Sequence, residues 1–212
     1  MFVQVLVYWC CHALLASSCV NAEVMESRAP PLLPRQFTAD VHVISHLVDP
    51  TQVYPPSTRH MRVSYDYDRR VARADMINGF ESNKTYIRRY DQKREYMVKF
   101  GKYPKCERAY LGEEMPLPEI PHVQTYVGIE KVRDIVCEHW VHAYANVRVH
   151  IFIDVQSRVP VRLTEENLIG ESPTLLLTYD LHDVQLGTHP DAMFEAQEVA
   201  THQKCTRNVG GF

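Results

Sequence analysis

Six consecutive residues, Cys137-Glu138-His139-Trp140-Val141-His142, form the densest collection of reactive side chains in the sequence. A thiol beside an imidazole is the raw material of a cysteine nucleophile. On an extended strand Cys137 and His139 share a face and can touch. That arrangement still lacks the separate orienting group and the exposed loop that such a nucleophile needs. The preceding Ile135-Val136 instead make Cys137 a buried thiol. His139 and His142 fall on opposite faces of a strand, so they are poor co-ligands for a metal. No GxSxG, HExxH, Walker loop or glycine-rich fingerprint occurs. The expectation is a chain that is not an enzyme, with no catalytic residues, no metal and no cofactor.

Asp66, Asp68 and Asp75, beside Tyr65 and Tyr67, have the oxygen chemistry of a calcium site. Arg69, Arg70 and Arg73 stand among them, and ion pairs across a hairpin are the preferred account. Asn83-Lys84-Thr85 is an N-glycosylation sequon, which predicts a surface turn at residues 80–85. Ten of the eleven histidines lie beyond residue 22. Unperturbed imidazoles titrate near pH ~6.5, so an acidic vesicle would change this surface strongly. Scattered surface histidines without a function are the plainer reading.

The first 22 residues hold no Asp, Glu, Lys or Arg, run apolar from Phe2 to Leu15, and end in the small-residue stretch Val20-Asn21-Ala22. This is the layout of a secretory signal peptide, too short for comfortable membrane insertion. Residues 23–35 follow as a Pro-rich leader, expected to be extended and mobile. Beyond residue 22 only Cys106, Cys137 and Cys205 remain. In an oxidising compartment three thiols allow one bridge. With Cys137 in an apolar strand and Cys205 in a polar tail that needs a tether, the expected pair is Cys106 with Cys205. A formal charge of −3 and a sequence pI of about 6.4 argue against a nucleic-acid or anionic-membrane binder.

The elements that position these residues are strands. Phe37, Ala39, Val41 and Val43 alternate with Thr38, Asp40, His42 and Ile44, and similar alternation covers 61–67, 95–100 and 147–155. Each pattern describes a strand with one buried and one wetter face. Further strands are expected around 70–77, 85–91, 104–111, 132–144, 159–164 and 174–186. Turns are expected at Asp68-Arg69-Arg70, Asn78-Gly79 and Ala145-Asn146. One short helix fits Pro190 to Ala196. The prediction is an all-β chain with minor helix: about ten antiparallel strands in a curved sheet or half-barrel.

Several segments resemble, in order, one secreted family. They are Leu33-Pro34-Arg35-Gln36-Phe37-Thr38-Ala39; Val63-Ser64-Tyr65-Asp66-Tyr67-Asp68 with Val71-Ala72-Arg73-Ala74-Asp75; Tyr126-Val127-Gly128 before Cys137-Glu138-His139-Trp140; Val159-Pro160-Val161-Arg162-Leu163; and Ala192-Met193-Phe194 before Cys205. The pattern is similar to ependymin-related proteins and closer still to the N-terminal domain of counting-factor-associated papain-like proteinases. The resemblance implies a LolA-like fold over 36–206, with residues 207–212 a tail and an apolar cavity inside a curved sheet. It also implies a secreted, glycosylated protein that binds hydrophobic ligands and calcium. Ependymins usually carry more cysteines, so their disulfide set does not transfer. No papain-type nucleophile motif occurs, so protease activity is not implied.

The function expected from these readings is a secreted, extracellular or endolysosomal, binding module for a hydrophobic or lipid-like molecule. Its expected lining is Tyr65, Tyr67, Val98, Phe100, Val149, Ile151, Ile153, Leu175, Leu177 and Tyr179, although core packing is the plainer role for any one of them. The alternative is a protein-interaction domain that meets its partner through the outer surface.

Overall fold

The structure, a computed structural model, describes residues 29–46, 57–79, 81–119, 124–196 and 204–209. The expected signal segment and the first part of the leader lie outside the described residues. Among the described residues, no helix is long and apolar enough to cross a membrane.

The alternating segments fold into one curved, open, twelve-stranded sheet. Its strands are β1 (Gln36–Ser45), β2 (Ser57–Asp66), β3 (Val71–Asn78), β4 (Lys84–Arg89), β5 (Arg94–Lys99), β6 (Lys105–Tyr110), β7 (Thr125–Val132), β8 (Ile135–Tyr144), β9 (Val147–Asp154), β10 (Pro160–Asn167), β11 (Thr174–Leu186) and β12 (Thr206–Arg207). The spatial order is β12-β6-β5-β4-β3-β2-β1-β11-β10-β9-β8-β7. Two antiparallel meanders, β1 to β6 and β7 to β11, are therefore joined where β11 pairs with β1. Among the described strands only β12 runs parallel to its neighbour, and the Cys106–Cys205 disulfide anchors it there. The helix expected over 190–196 is reduced to a 3-10 turn, Asp191–Phe194.

Two strands replace the one expected at 132–144, and β7 is new. Its alternation is broken by a bulge between Tyr126 and Gly128. Its turn to β8, Arg133-Asp134, carries no glycine, proline or asparagine signal. Both residues nevertheless take left-handed backbone, at φ 49° and 67°, as a two-residue hairpin requires. The Ala145-Asn146 hairpin forms where expected, with Ala145 at φ 46°.

Register decides which face is the core. Ala39 and Val43 of β1 are almost fully buried, and their apolar neighbours Phe37, Met61, Val63, Tyr179, Leu181 and Val184 all come from β1, β2 and β11. Burial raises the pKa of Tyr65, Tyr86, Tyr179 and Glu165, all on this face, as expected of the more enclosed, concave side. His42, on the reverse of β1, is exposed. Two segments close one end of the concave face. Leu33 packs on Trp140 and Ile153 and donates its amide to Pro118 O at 3.0 Å, and Leu32 bridges to Glu119. Leu111 and Met115 pack on Tyr90 against Tyr65, Tyr67 and Ala72. Residues 29–35 are thus part of the packed structure, because Leu33 supplies an apolar plug that a Pro-rich composition alone does not reveal. The convex face is covered by Phe194 and Ala196 on Val71 and Ile87, and by Cys205 on Val98 and Cys106.

Candidate functional site

The antiparallel ladder lines up two rows of side chains on the concave face. In the first, Val43, Tyr179, Leu163, Ile151, Trp140 and Tyr126 stand side by side across β1, β11, β10, β9, β8 and β7. In the second, Ser45, Leu177, Glu165, Val149 and His142 follow the same strands from β1 to β8. Directly paired residues share a face, so these rows form one continuous surface. Trp140 is sealed within it, whereas Leu163, Ile151, Val149, Leu177 and Tyr179 are half-buried. The result is a partly solvent-exposed apolar face (the trough) rather than a fully packed layer.

Of the expected lining residues, the ladder brings Tyr179, Ile151, Leu177 and Val149 together in the trough. Ile153 lies on the same face but is wholly buried against Trp140 and under Leu33. Tyr65 is at the far end, opposite Phe37, its hydroxyl donating to Pro116 O at 2.6 Å. Tyr67 lies beyond β2, stacked on Tyr65 and capped by Arg35. Three residues are corrected to other positions. Val98 faces the convex side, sealed beneath Cys106 and Cys205. Phe100 follows β5 on Val98's phase and is exposed. Leu175 sits past a bulge that pairs it with Glu166 on the convex face. Alternation within one strand defines two faces but cannot say which face of a distant strand shares the same side.

Two acidic groups sit in this apolar face, Glu165 just outside an expected strand and Glu138 inside one. Glu165 is ringed by its ladder partners Val149 and Leu177 and its strand neighbour Leu163. Burial pushes its carboxyl above the ordinary value, partly offset by a hydrogen bond with Tyr179. Burial also raises Tyr179 and Tyr144, each further raised by the nearby Glu165. Glu138 is fully buried, accepting from Arg158 at 2.8 Å and from the Trp140 indole at 3.2 Å. Ending the strand at residue 164 hid Glu165; one further residue would have placed it on the same face as Leu163.

The convex face carries the other titratable groups. His60, His42 and His182 form a row with ring centroids 4.4 and 4.6 Å apart. A second chain runs from Glu130 to His139 (2.6 Å), His139 to His150 (2.8 Å) and His150 to Glu166 (3.2 Å). His142 is on the opposite face, stacked on Tyr144. Among the described residues, no group of three or more His, Cys, Asp or Glu is arranged to hold a metal ion. The three aspartates of the β2–β3 hairpin are engaged by arginines. Arg69 Nε donates to Asp66 at 2.7 Å, Arg35 to Asp68 at 2.5 Å and Arg73 to Asp75 at 2.8 Å. Cys137 is a free, fully buried thiol, and burial raises its pKa, opposite to what a thiolate nucleophile requires.

Two clefts lie away from the trough. One, of about 360 Å³, is bordered by Arg133, Ile135, Asp154, Val161, His182 and Asp183. The other, of about 420 Å³, lies at the β5–β6 edge around Arg94, Arg108 and Tyr110. None of the ten expected lining residues borders either cleft.

No family model matches the chain, and no curated protein matches it. Solved structures do. The chain is similar to an uncharacterised conserved protein from Thermus thermophilus, with 12% identity, a TM-score of 0.53, and coverage of 76% of this chain and 85% of that one. A LolA superfamily protein from Nitrosomonas europaea gives 10% identity and a TM-score of 0.43 over 76% of this chain and 90% of that one. A structure described as an outer membrane lipoprotein-sorting protein domain from Vibrio parahaemolyticus gives 8% identity and a TM-score of 0.38 over 78% and 91%. At such identities the likeness to the Thermus chain speaks for the fold alone: a single open, curved antiparallel sheet.

Proposed function

We propose that this chain is a non-enzymatic binding module that holds a hydrophobic or lipid-like molecule in the concave trough. The observation that carries this reading is the half-buried apolar row of Tyr179, Leu163, Ile151, Val149 and Leu177, which stays half-exposed on the face that forms the core elsewhere. Each methylene moved from water onto such a surface contributes about 0.8 kcal/mol, less the costs of association. The test is incubation with a lipid extract, then mass spectrometry of what stays bound after gel filtration. Wild type retains an amphiphile and Leu177→Lys does not. Wild type that retains none overturns the reading.

The same proposal places the protein outside the cytosol, secreted or endolysosomal, as an ependymin-related chain. The signal-like segment, the disulfide and the sequon support it. Asn83 lies exposed on the turn between β3 and β4, where a glycan has room. Expression through a secretory pathway, with and without Asn83→Gln, tests this by the mobility lost on deglycosylation. One observation favours the alternative of a protein-interaction domain. Val127, Ile129 and Val136 are exposed together at the β7–β8 edge of the sheet, where an extended partner strand could add.

A further inference from the structure

We propose that the trough selects amphiphiles with a primary ammonium head group, and that Glu165 is the residue that reads it. This rests on the hydrophobic-trough reading above and adds the chemistry of the ligand. Glu165 projects from the middle of the second row, with Val149 and Leu177 as its ladder partners and Leu163 two residues back on the same face. A carboxylate in such surroundings has given up much of its hydration. Tyr179 supplies one hydrogen bond. An ionised carboxylate has about four acceptor sites, so further ones are left for a ligand. Among the described residues, no salt bridge involves Glu165. Basic side chains on this face are not its ladder partners, and Arg59 acts on Tyr179. Arg59 is on β2, three strands from β10, and His142 is on β8, two strands away.

The chemical consequence follows from charge and shape together. A group entering along Leu163, Ile151 and Leu177 meets apolar side chains first and then a single acceptor-only anion. A fatty-acid carboxylate placed there would set two anions side by side in a poorly solvated site. An alcohol would donate one hydrogen bond and bring no positive charge to offset the carboxylate. An alkylammonium would donate up to three charge-assisted bonds, shared between Glu165 and the phenol oxygens of Tyr179 and Tyr144. Sphingoid bases, lysophosphatidylethanolamine and simple alkylamines share this head-group chemistry.

The experiment compares dodecylamine, dodecanol and dodecanoate at pH 7, below their aggregation thresholds, by calorimetric titration of the whole chain. The tail is constant, so differences report the head group. Dodecylamine should bind about tenfold more tightly than dodecanol, in keeping with a partly desolvated charged hydrogen bond, and dodecanoate least tightly. Glu165→Gln, which keeps size and shape, should remove the preference for the amine and leave dodecanol affinity within about twofold. Tyr179→Phe should weaken the preference without abolishing it. Equal binding of all three by wild type overturns the head-group assignment and leaves the hydrophobic trough standing. An amine preference that survives in Glu165→Gln does the same. Failure of every amphiphile to bind overturns the trough itself. Comparing sphingosine with lysophosphatidylethanolamine, under the same Glu165→Gln control, then separates a free amine base from a phospholipid head group.

Discussion

Reduction of the Cys106–Cys205 bond should destabilise the protein by far more than the contacts it visibly holds. The bond joins residues 99 positions apart, and β12 contributes only two ladder residues beside it. Closing a loop of that size removes unfolded-state entropy worth about 4.7 kcal/mol on the chain-entropy model. The local hold is weaker. Thr206 Oγ1 reaches Cys106 O at 3.4 Å and the Asn208 amide reaches Arg108 O at 2.8 Å, and each such bond is worth about 1 kcal/mol net. Without the covalent tie, the tail is expected to detach and uncover Val98. Urea unfolding of oxidised and reduced protein, followed by the fluorescence of the fully buried Trp140, measures the difference far from the tail itself. The expected loss is about 4 kcal/mol, with amide exchange at residues 204–209 accelerating first. Cys205→Ser should reproduce it. Oxidised and reduced proteins unfolding within about 0.5 kcal/mol of each other would refute the reasoning, since the loop would then carry no entropy advantage.

Three further outcomes are expected. Arg158→Met removes the cation paired with the fully buried Glu138 carboxylate; because the Arg158 side chain is 39% exposed, the loss should be about 2 kcal/mol, below the range for fully buried pairs, and a change under about 0.5 in denaturant unfolding contradicts it. Ala145→Gly relieves a left-handed turn residue and should stabilise by about 1 kcal/mol, seen as a higher melting temperature; an unchanged or lower value counts against strain at that turn. Acid sensitivity should come in two stages. Burial lowers the pKa of both His182 and His189, reinforced by Arg133 at the first and Arg69 at the second, while Asp66 opposes the shift at His189. The unfolded chain therefore takes up these protons first, and stability falls as pH drops below the ordinary imidazole value of 6.5. Asp40 is held low by Arg62. Asp66 is held low by Arg69 and Gln36 despite its burial, and both lose their contribution below the ordinary carboxylate value of 3.8. A melting temperature that stays flat from pH 7 to 5 excludes the histidine stage.

The strands were legible in the sequence because each reports a local property, alternation along a few residues. β11 over 174–186 and the Ala145-Asn146 hairpin could be read from it directly. The Cys106–Cys205 bond was legible because few thiols remained to pair. β7 was not legible, since its bulge broke the period and its turn used Arg133 and Asp134 in place of glycine or asparagine. Which residues share the trough was decided only by register. Tyr179, Leu163 and Ile151 come from three different strands and meet because two ladders align them, whereas Val98, with the same local pattern, faces the disulfide on the other side. Glu165 shows the same division: its identity is local, but the desolvation that gives its carboxylate chemistry comes from strands on either side. A sequence states which side chains alternate; the curvature and pairing of the whole sheet decide which alternating sets share one face.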